Sequence, residues 1–201
     1  KQVVNKRMSK IYSSPSYPVR SKYGTPIIID IYSAMGVLPT RNCQTGVFER
    51  AKDIGAEALL AGFVKKHKSC FACPVHCSRY YYVESGPYAG SYGEGPEFET
   101  LCSMGARCGN GDLASILHIN TLANQYGLDT ISTGNAIAFA MECFEKGLLS
   151  KEDADGLELK WGNHEAIVSL VRKIAFREGI GDLLAEGVRR ASERIPGSQS
   201  F

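Results

Sequence analysis

Three of the chain's seven cysteines fall within Cys70-Phe71-Ala72-Cys73-Pro74-Val75-His76-Cys77, and this C-x2-C-x3-C spacing is the tightest constraint on how the chain can fold. Three thiolates brought so close by a short loop can hold three corners of one polynuclear centre, and soft sulfur ligands favour iron–sulfur clusters or zinc. Structural zinc usually takes ligand pairs from two separated knuckles, and His76, inside the triplet, can replace a cysteine only with strain. A four-iron cluster with a distant fourth ligand suits the spacing better. The competing reading is three buried thiols packing as small apolar groups. Cys43, Cys102, Cys108 and Cys143 are solitary and read as packing thiols. An odd, unevenly spaced set of cysteines does not describe a small secreted disulfide scaffold.

With 201 residues, 44% of them apolar, the chain can bury a core without a metal to hold it together. Its 23 Lys and Arg nearly balance 21 Asp and Glu, leaving +2. No concentrated basic footprint for nucleic acid or a membrane surface results, so small molecules and proteins are the expected partners. The apolar runs at Ile27 to Ile29 and Ile137 to Met141 are far shorter than the roughly 18 residues a membrane span needs. Lys1 to Lys10 lacks the apolar core of a signal peptide and the chain starts at Lys1. It therefore reads as an internal segment of a longer, cytoplasmic protein.

Residues 1 to 24, with Pro15 and Pro18, read as an irregular lead-in. Thr25-Pro26 has the form of an N-cap and first helical position, with Gly36 as the stop, so Pro26 to Met35 is expected to be helical although Ile27-Ile28-Ile29 also suits a strand. Glu49 to Lys66 carries Ile54, Ala58, Leu59 and Phe63 at helical spacing, and Lys65-Lys66-His67-Lys68 is then a solvated helix end where an acidic electron carrier can dock. Arg79 to Glu84 is the strand candidate, followed by a glycine-rich loop from Gly86 to Gly95. Helices are expected from Asp112 to Gly127, Ile131 to Lys146, Asn163 to Gly179 and Asp182 to Arg194. The expected fold is mainly α with one short β element beside the cysteine loop. It divides into residues 1–110, with the cysteine and acidic loops, and a helical part at 111–201.

Two further motifs offer chemistry. Gly93-Glu94-Gly95-Pro96-Glu97-Phe98-Glu99 is no dinucleotide fingerprint, because Phe98 stands where a third glycine belongs. In an extended segment Glu97 and Glu99 point the same way and can serve one pocket as proton donor and acceptor; otherwise the loop is simply solvated. Asn124-Gln125-Tyr126-Gly127-Leu128-Asp129 places a sharp turn between helices, leaving acceptors free for a donor-rich heterocycle, unless Asp129 only caps the next helix.

Taken in order, Thr25-Pro26, Leu38-Pro39-Thr40-Arg41-Asn42, the cysteine triplet, Gly95-Pro96-Glu97-Phe98-Glu99-Thr100, Tyr126-Gly127-Leu128-Asp129-Thr130-Ile131-Ser132-Thr133-Gly134 and Gly181-Asp182-Leu183-Leu184-Ala185-Glu186-Gly187 resemble the tungsten-containing aldehyde ferredoxin oxidoreductase family. The resemblance implies helical domains 2 and 3 of a longer anaerobic enzyme, whose N-terminal β domain and C-terminal remainder lie outside this segment. It implies a 4Fe-4S cluster on Cys70, Cys73 and Cys77, with a fourth cysteine from a Gly-Leu-Cys motif nearer the C-terminus. A tungsten or molybdenum bis-pterin would meet Asn124, Gly127, Leu128 and Asp129; Asn124 replaces the family's opening Asp and keeps an oxygen acceptor without the charge. Glu97 matches the glutamate near the metal that moves a proton, with Glu99 as the alternative. The implied reaction oxidises an aldehyde to a carboxylic acid and passes electrons to ferredoxin, and a homodimer is possible in such a family. His118 and His164 do not reproduce the Glu/His pattern of a subunit-bridging metal. The alternatives are a same-family reductase acting on aromatic thioesters or feeding a flavin partner, and a zinc-stabilised interaction module using the cysteines with His76 or His118.

Overall fold

The computed structural model describes residues 2–201. The chain begins with α1 (Gln2–Tyr12) and α2 (Tyr17–Tyr23), where an irregular lead-in was expected. Pro15 interrupts only the stretch between the two. Gln2–Tyr12 contains neither proline nor glycine and is rich in straight-chain helix formers, while Pro18 sits in the first turn of α2, where its missing N–H costs nothing. α3 (Ile27–Ala34) forms as expected, Pro26 at its start overriding the β-branched run.

The single helix expected over 49–66 is instead α4 (Ala51–Ile54), α5 (Ala56–Gly62) and the strand β1 (Val64–Lys68). The break falls at Gly55, which is extended and lies so close to α3 that a Cβ there would sit 2.6 Å from an Asp30 carboxylate oxygen. β1 pairs antiparallel with β2 (Ser78–Tyr82), which pairs antiparallel with β3 (Tyr92–Glu94), giving the order β1-β2-β3. The β part is thus a three-stranded sheet and the basic stretch is its edge. Neither Val-Lys-Lys-His-Lys nor Tyr-Gly-Glu carries an alternating apolar signal; both become strands by pairing with the aromatic β2. Lys65 and Lys68 reach across to Glu84 and Glu94, and charges of this kind are a usual edge-strand protection.

After β3 come α6 (Phe98–Met104), a 3-10 turn (Ala106–Cys108), α7 (Leu113–Tyr126), α8 (Thr130–Glu145), α9 (His164–Phe176), α10 (Ile180–Leu184) and α11 (Val188–Arg194). The caps read from sequence form: Asp112 accepts from Ser115 N at 2.6 Å and Asn163 from Ala166 N at 3.3 Å. The helix expected from Asp182 to Arg194 breaks at Gly187, which takes φ +85°. α8 is apolar on nearly every side and occupies the centre, packed by α6, α9, α10 and α11. Gly134 makes this possible, since a Cβ there would lie 2.7 Å from the Ser103 Cβ on α6. One cluster of buried apolar side chains runs from Ile29 through Phe139 to Ile195. The architecture is mainly α with one small sheet, and no helix among the described residues is long and apolar enough to cross a membrane.

Candidate functional site

The three cysteines lie on the loop joining β1 to β2, beyond the Lys68–Ser78 pair that closes the hairpin. Cys70 is exposed, Cys73 and Cys77 are half-buried, and all three are free thiols. A turn from Cys73 N–H to the Cys70 carbonyl, at 3.0 Å, opens the loop, and left-handed backbone at Ala72 and His76 folds it back on itself. No three His, Cys, Asp or Glu side chains among the described residues converge on a single-ion centre.

The Cys77 end is the better anchored. Arg79, on β2, is only 1% exposed; its Nη1 donates to the carbonyls of His76 and Ser78 at 2.8 Å each, and its Nη2 to those of Ser21 and Lys22 on α2. α2 ends at Gly24, with φ +65°, and a Cβ there would run into the Cys77 carbonyl. Tyr17 also donates to the Pro74 carbonyl at 3.3 Å. Burial first, then the negative charges of Glu97 and Cys73, push the Cys77 thiol above its ordinary pKa. A bound cation reverses that logic, because a coordinating thiol is deprotonated.

Glu97 and Glu99 do not share a face. Glu97 is the extended residue before α6, whereas Glu99 lies in the first helical turn, and positions two apart on a helix point different ways. The extended segment expected there fails because the Thr25 hydroxyl starts the helix. Thr25 Oγ1 accepts from Phe98 N–H at 2.9 Å and donates to Glu97 Oε2. Thr25 was expected to cap its own helix; the residue next to α3 is Pro26, without a side-chain cap, and the Thr25 hydroxyl caps α6 instead. Glu97 is half-buried and held, while Glu99 is exposed along a cleft of about 220 Å³ with Tyr32, Phe98 and Arg107. Gly95 N–H donates to the Arg79 carbonyl at 2.9 Å, so the strand bearing the cysteine anchor also sets where Glu97 begins.

Thr100 and Thr130 share a hydrogen bond of 2.9 Å between their hydroxyls, joining the start of α6 to the start of α8. That places the Gly127-Leu128-Asp129 turn beside the helix Glu97 precedes. Gly127 is left-handed, with φ 69°, and Leu128 N–H closes the turn on the Ala123 carbonyl at 2.8 Å. Asp129 caps α8, accepting from Ser132 N–H at 2.7 Å, and the Ser132 hydroxyl and N–H hold its carboxyl below the usual range. Asn124 donates its amide N–H to the Asn120 carbonyl at 2.8 Å, leaving the amide oxygen as the available acceptor. Asn124, Gly127 and Asp129 are exposed and Leu128 is half-buried. Asn124 also opens on a separate pocket of about 290 Å³ between β3 and the end of α7.

Arg79 and the site role of Thr25 have no motif in the sequence. A charged residue in the first half of an aromatic strand was the available signal for Arg79; Thr25-Pro26 stood among the resembling motifs, but nothing local showed that its hydroxyl acts on a helix 73 residues further along. His118, a zinc-ligand alternative, is occupied elsewhere: Ser91 Oγ lies 2.8 Å from its Nδ1 and it stacks on Tyr88 at 5.0 Å, at the Tyr82–Tyr92 end of the sheet opposite the cysteine loop. Cys102, Cys108 and Cys143 are buried as expected, their thiols pushed up to about 11, 12 and 11 by desolvation. Cys43 departs from that reading and is exposed, in a left-handed run with Arg41 and Asn42.

A family model described as aldehyde ferredoxin oxidoreductase, domains 2 and 3, matches residues 2–201. The chain belongs to this family. Tungsten-containing aldehyde ferredoxin oxidoreductases of Pyrococcus abyssi and Pyrococcus horikoshii are 42% and 41% identical over 204 residues, covering 100% of this chain and 33% of each relative. An aliphatic sulfonate oxidoreductase WOR-like subunit of Pyrococcus furiosus is 40% identical over 66% of the chain and 21% of that protein. Among solved structures, the active-site complex BamBC of benzoyl coenzyme A reductase with 1,5-dienoyl-CoA aligns with a TM-score of 0.64 and 31% identity, over 82% of this chain and 24% of that one. The chain thus spans about a third of the length of the curated aldehyde ferredoxin oxidoreductases it matches, and its helices and small sheet are this family's domains 2 and 3.

Proposed function

We propose that the chain is the cluster-holding and cofactor-facing part of a tungsten or molybdenum bis-pterin, iron–sulfur oxidoreductase that oxidises aldehydes to carboxylic acids and delivers electrons to ferredoxin in the cytoplasm. The observation that carries the reading is the joining of Cys77 to Glu97 through Gly24-Thr25 and Arg79. In this reading it would set a cluster ligand beside a held carboxylate. The donor set fits the group: three free thiols on one loop, with no carboxylate or amide among them, are soft ligands of the kind iron–sulfur clusters take. In this reading residues 1–110 carry the cluster and the acid, and residues 111–201 carry the turn that faces the pterin.

When bound, the pterin metal supplies a two-electron couple and the cluster a one-electron relay. Oxidation of an aldehyde with water to an acid releases two electrons and two protons. Cys70, Cys73 and Cys77 would hold the cluster. Asn124 through its amide oxygen, and Gly127, Leu128 and Asp129 through the open turn, would receive the pterin. Glu97 would accept a proton: the Thr25 hydroxyl fixes one carboxylate oxygen and leaves Oε1 to exchange it. Glu99, exposed and without such an orienting contact, would not.

The likeness to the benzoyl coenzyme A reductase complex favours a second reading, a same-family reductase acting on an aromatic thioester. Anaerobically purified full-length protein separates these, by viologen reduction with aldehydes against reductive turnover of benzoyl-CoA. It should contain iron and acid-labile sulfide and show an electron paramagnetic resonance signal when reduced, which Cys73→Ser removes. Stoichiometric zinc in a colourless protein would sink the cluster reading.

A further inference from the structure

We infer that Arg79 is a positioning residue for the cluster, its Nε–H being the hydrogen-bond donor reserved for sulfur on the Cys77 side; this rests on the cluster reading above. Among the described residues Arg79 is one of the largest fully buried side chains. Its four hydrogen bonds all run to backbone carbonyls, two of which, His76 and Ser78, flank Cys77 directly. Nε is buried and has no partner.

A buried guanidinium whose hydrogen bonds all run to carbonyls, with one N–H unmet, is a costly arrangement unless an anion completes it. The anionic groups that act on Arg79 are Cys77 of the adjoining loop, most strongly, and then Glu97, one oxygen of which the Thr25 hydroxyl already holds. The backbone bonds hold the guanidinium rigidly, so little ordering is needed when the sulfur arrives. A fixed positive charge and a hydrogen bond at sulfur both stabilise the more negative, reduced form of an iron–sulfur centre, which raises its reduction potential. Arg79 therefore does more than pin α2 to the loop. It keeps the centre reducible by electrons arriving singly from the substrate side.

The test uses the anaerobic full-length enzyme with Arg79→Met and Arg79→Lys, each titrated with dithionite and followed by electron paramagnetic resonance. Arg79→Met should shift the one-electron equilibrium toward the oxidised cluster about tenfold, equivalent to about 59 mV. Arg79→Lys keeps the charge without the Nε–H and should fall between. In the unsubstituted enzyme, 15N-arginine labelling should give a nitrogen coupling to the reduced cluster spin, a readout that needs no variant to fold. An unshifted potential with an intact signal, or a missing coupling in the unsubstituted enzyme, would each overturn the role. A full-length enzyme with no iron–sulfur signal at all would instead remove the cluster reading.

Discussion

Thr25→Val removes one oxygen and keeps the shape and β-branching of the side chain. It leaves Phe98 N–H, now bonded at 2.9 Å, and Glu97 Oε2 without their partner. Loss of a helix cap costs about 1 kcal/mol and loss of a hydrogen bond to a charged group about 1.5–3 kcal/mol. The site is half-buried, so water takes up part of the second loss, and a total of about 2 kcal/mol is expected. If that cost falls on local opening of the first turn of α6, hydrogen exchange at Phe98 quickens by about 10- to 50-fold. Hydrogen exchange with mass spectrometry on the full-length protein, reading a peptide that spans 96–101, measures this directly. Thr25→Ser, which restores the hydroxyl, should return exchange to within about threefold of the original. On the proposed function, aldehyde turnover by the full-length Thr25→Val protein should fall as well, because Glu97 loses the contact that orients it. Unchanged exchange at Phe98 in Thr25→Val would refute the claim that Thr25 starts α6.

Two more outcomes follow from the geometry. At pH 8 in the native protein, a maleimide should label exposed Cys43 and spare Cys108, whose buried thiol is pushed up to about 12, as well as Cys102 and Cys143; peptide mapping of a label on native Cys108 would contradict the packing described. Asp129→Ala should cost about 0.5–1 kcal/mol at neutral pH through loss of the α8 cap. Because the folded carboxyl titrates below its ordinary 3.8, its stabilisation is complete above that value and lost as pH falls through the depressed one; melting curves of the two proteins should therefore converge below about pH 3.8.

Much of the helical part was legible because its signals are local. Asp112 and Asn163 cap as their types suggest, Gly127 takes the left-handed turn, and the apolar period of α9, with Ile167, Leu170, Val171 and Ile174, is the face that is buried. The illegible parts depend on neighbours. Gly55 breaks a helix because Asp30 of α3 lies against it, and Val64–Lys68 becomes a strand because Tyr-rich β2 offers it partners. The same holds at the site. The cysteine spacing marked the loop, but the separation of Glu97 from Glu99 depends on a hydroxyl distant in sequence.

The sequence by itself determined the family, the cysteine loop and the helices with strong caps, since each rests on residue types at fixed short spacing. Only the tertiary structure decided which carboxylate is held, which cation stands behind Cys77, and which solitary cysteine reaches solvent. Those outcomes depend on burial and on hydrogen bonds between segments far apart along the chain, whose energies exist only once α2, β2, α6 and α8 have packed together.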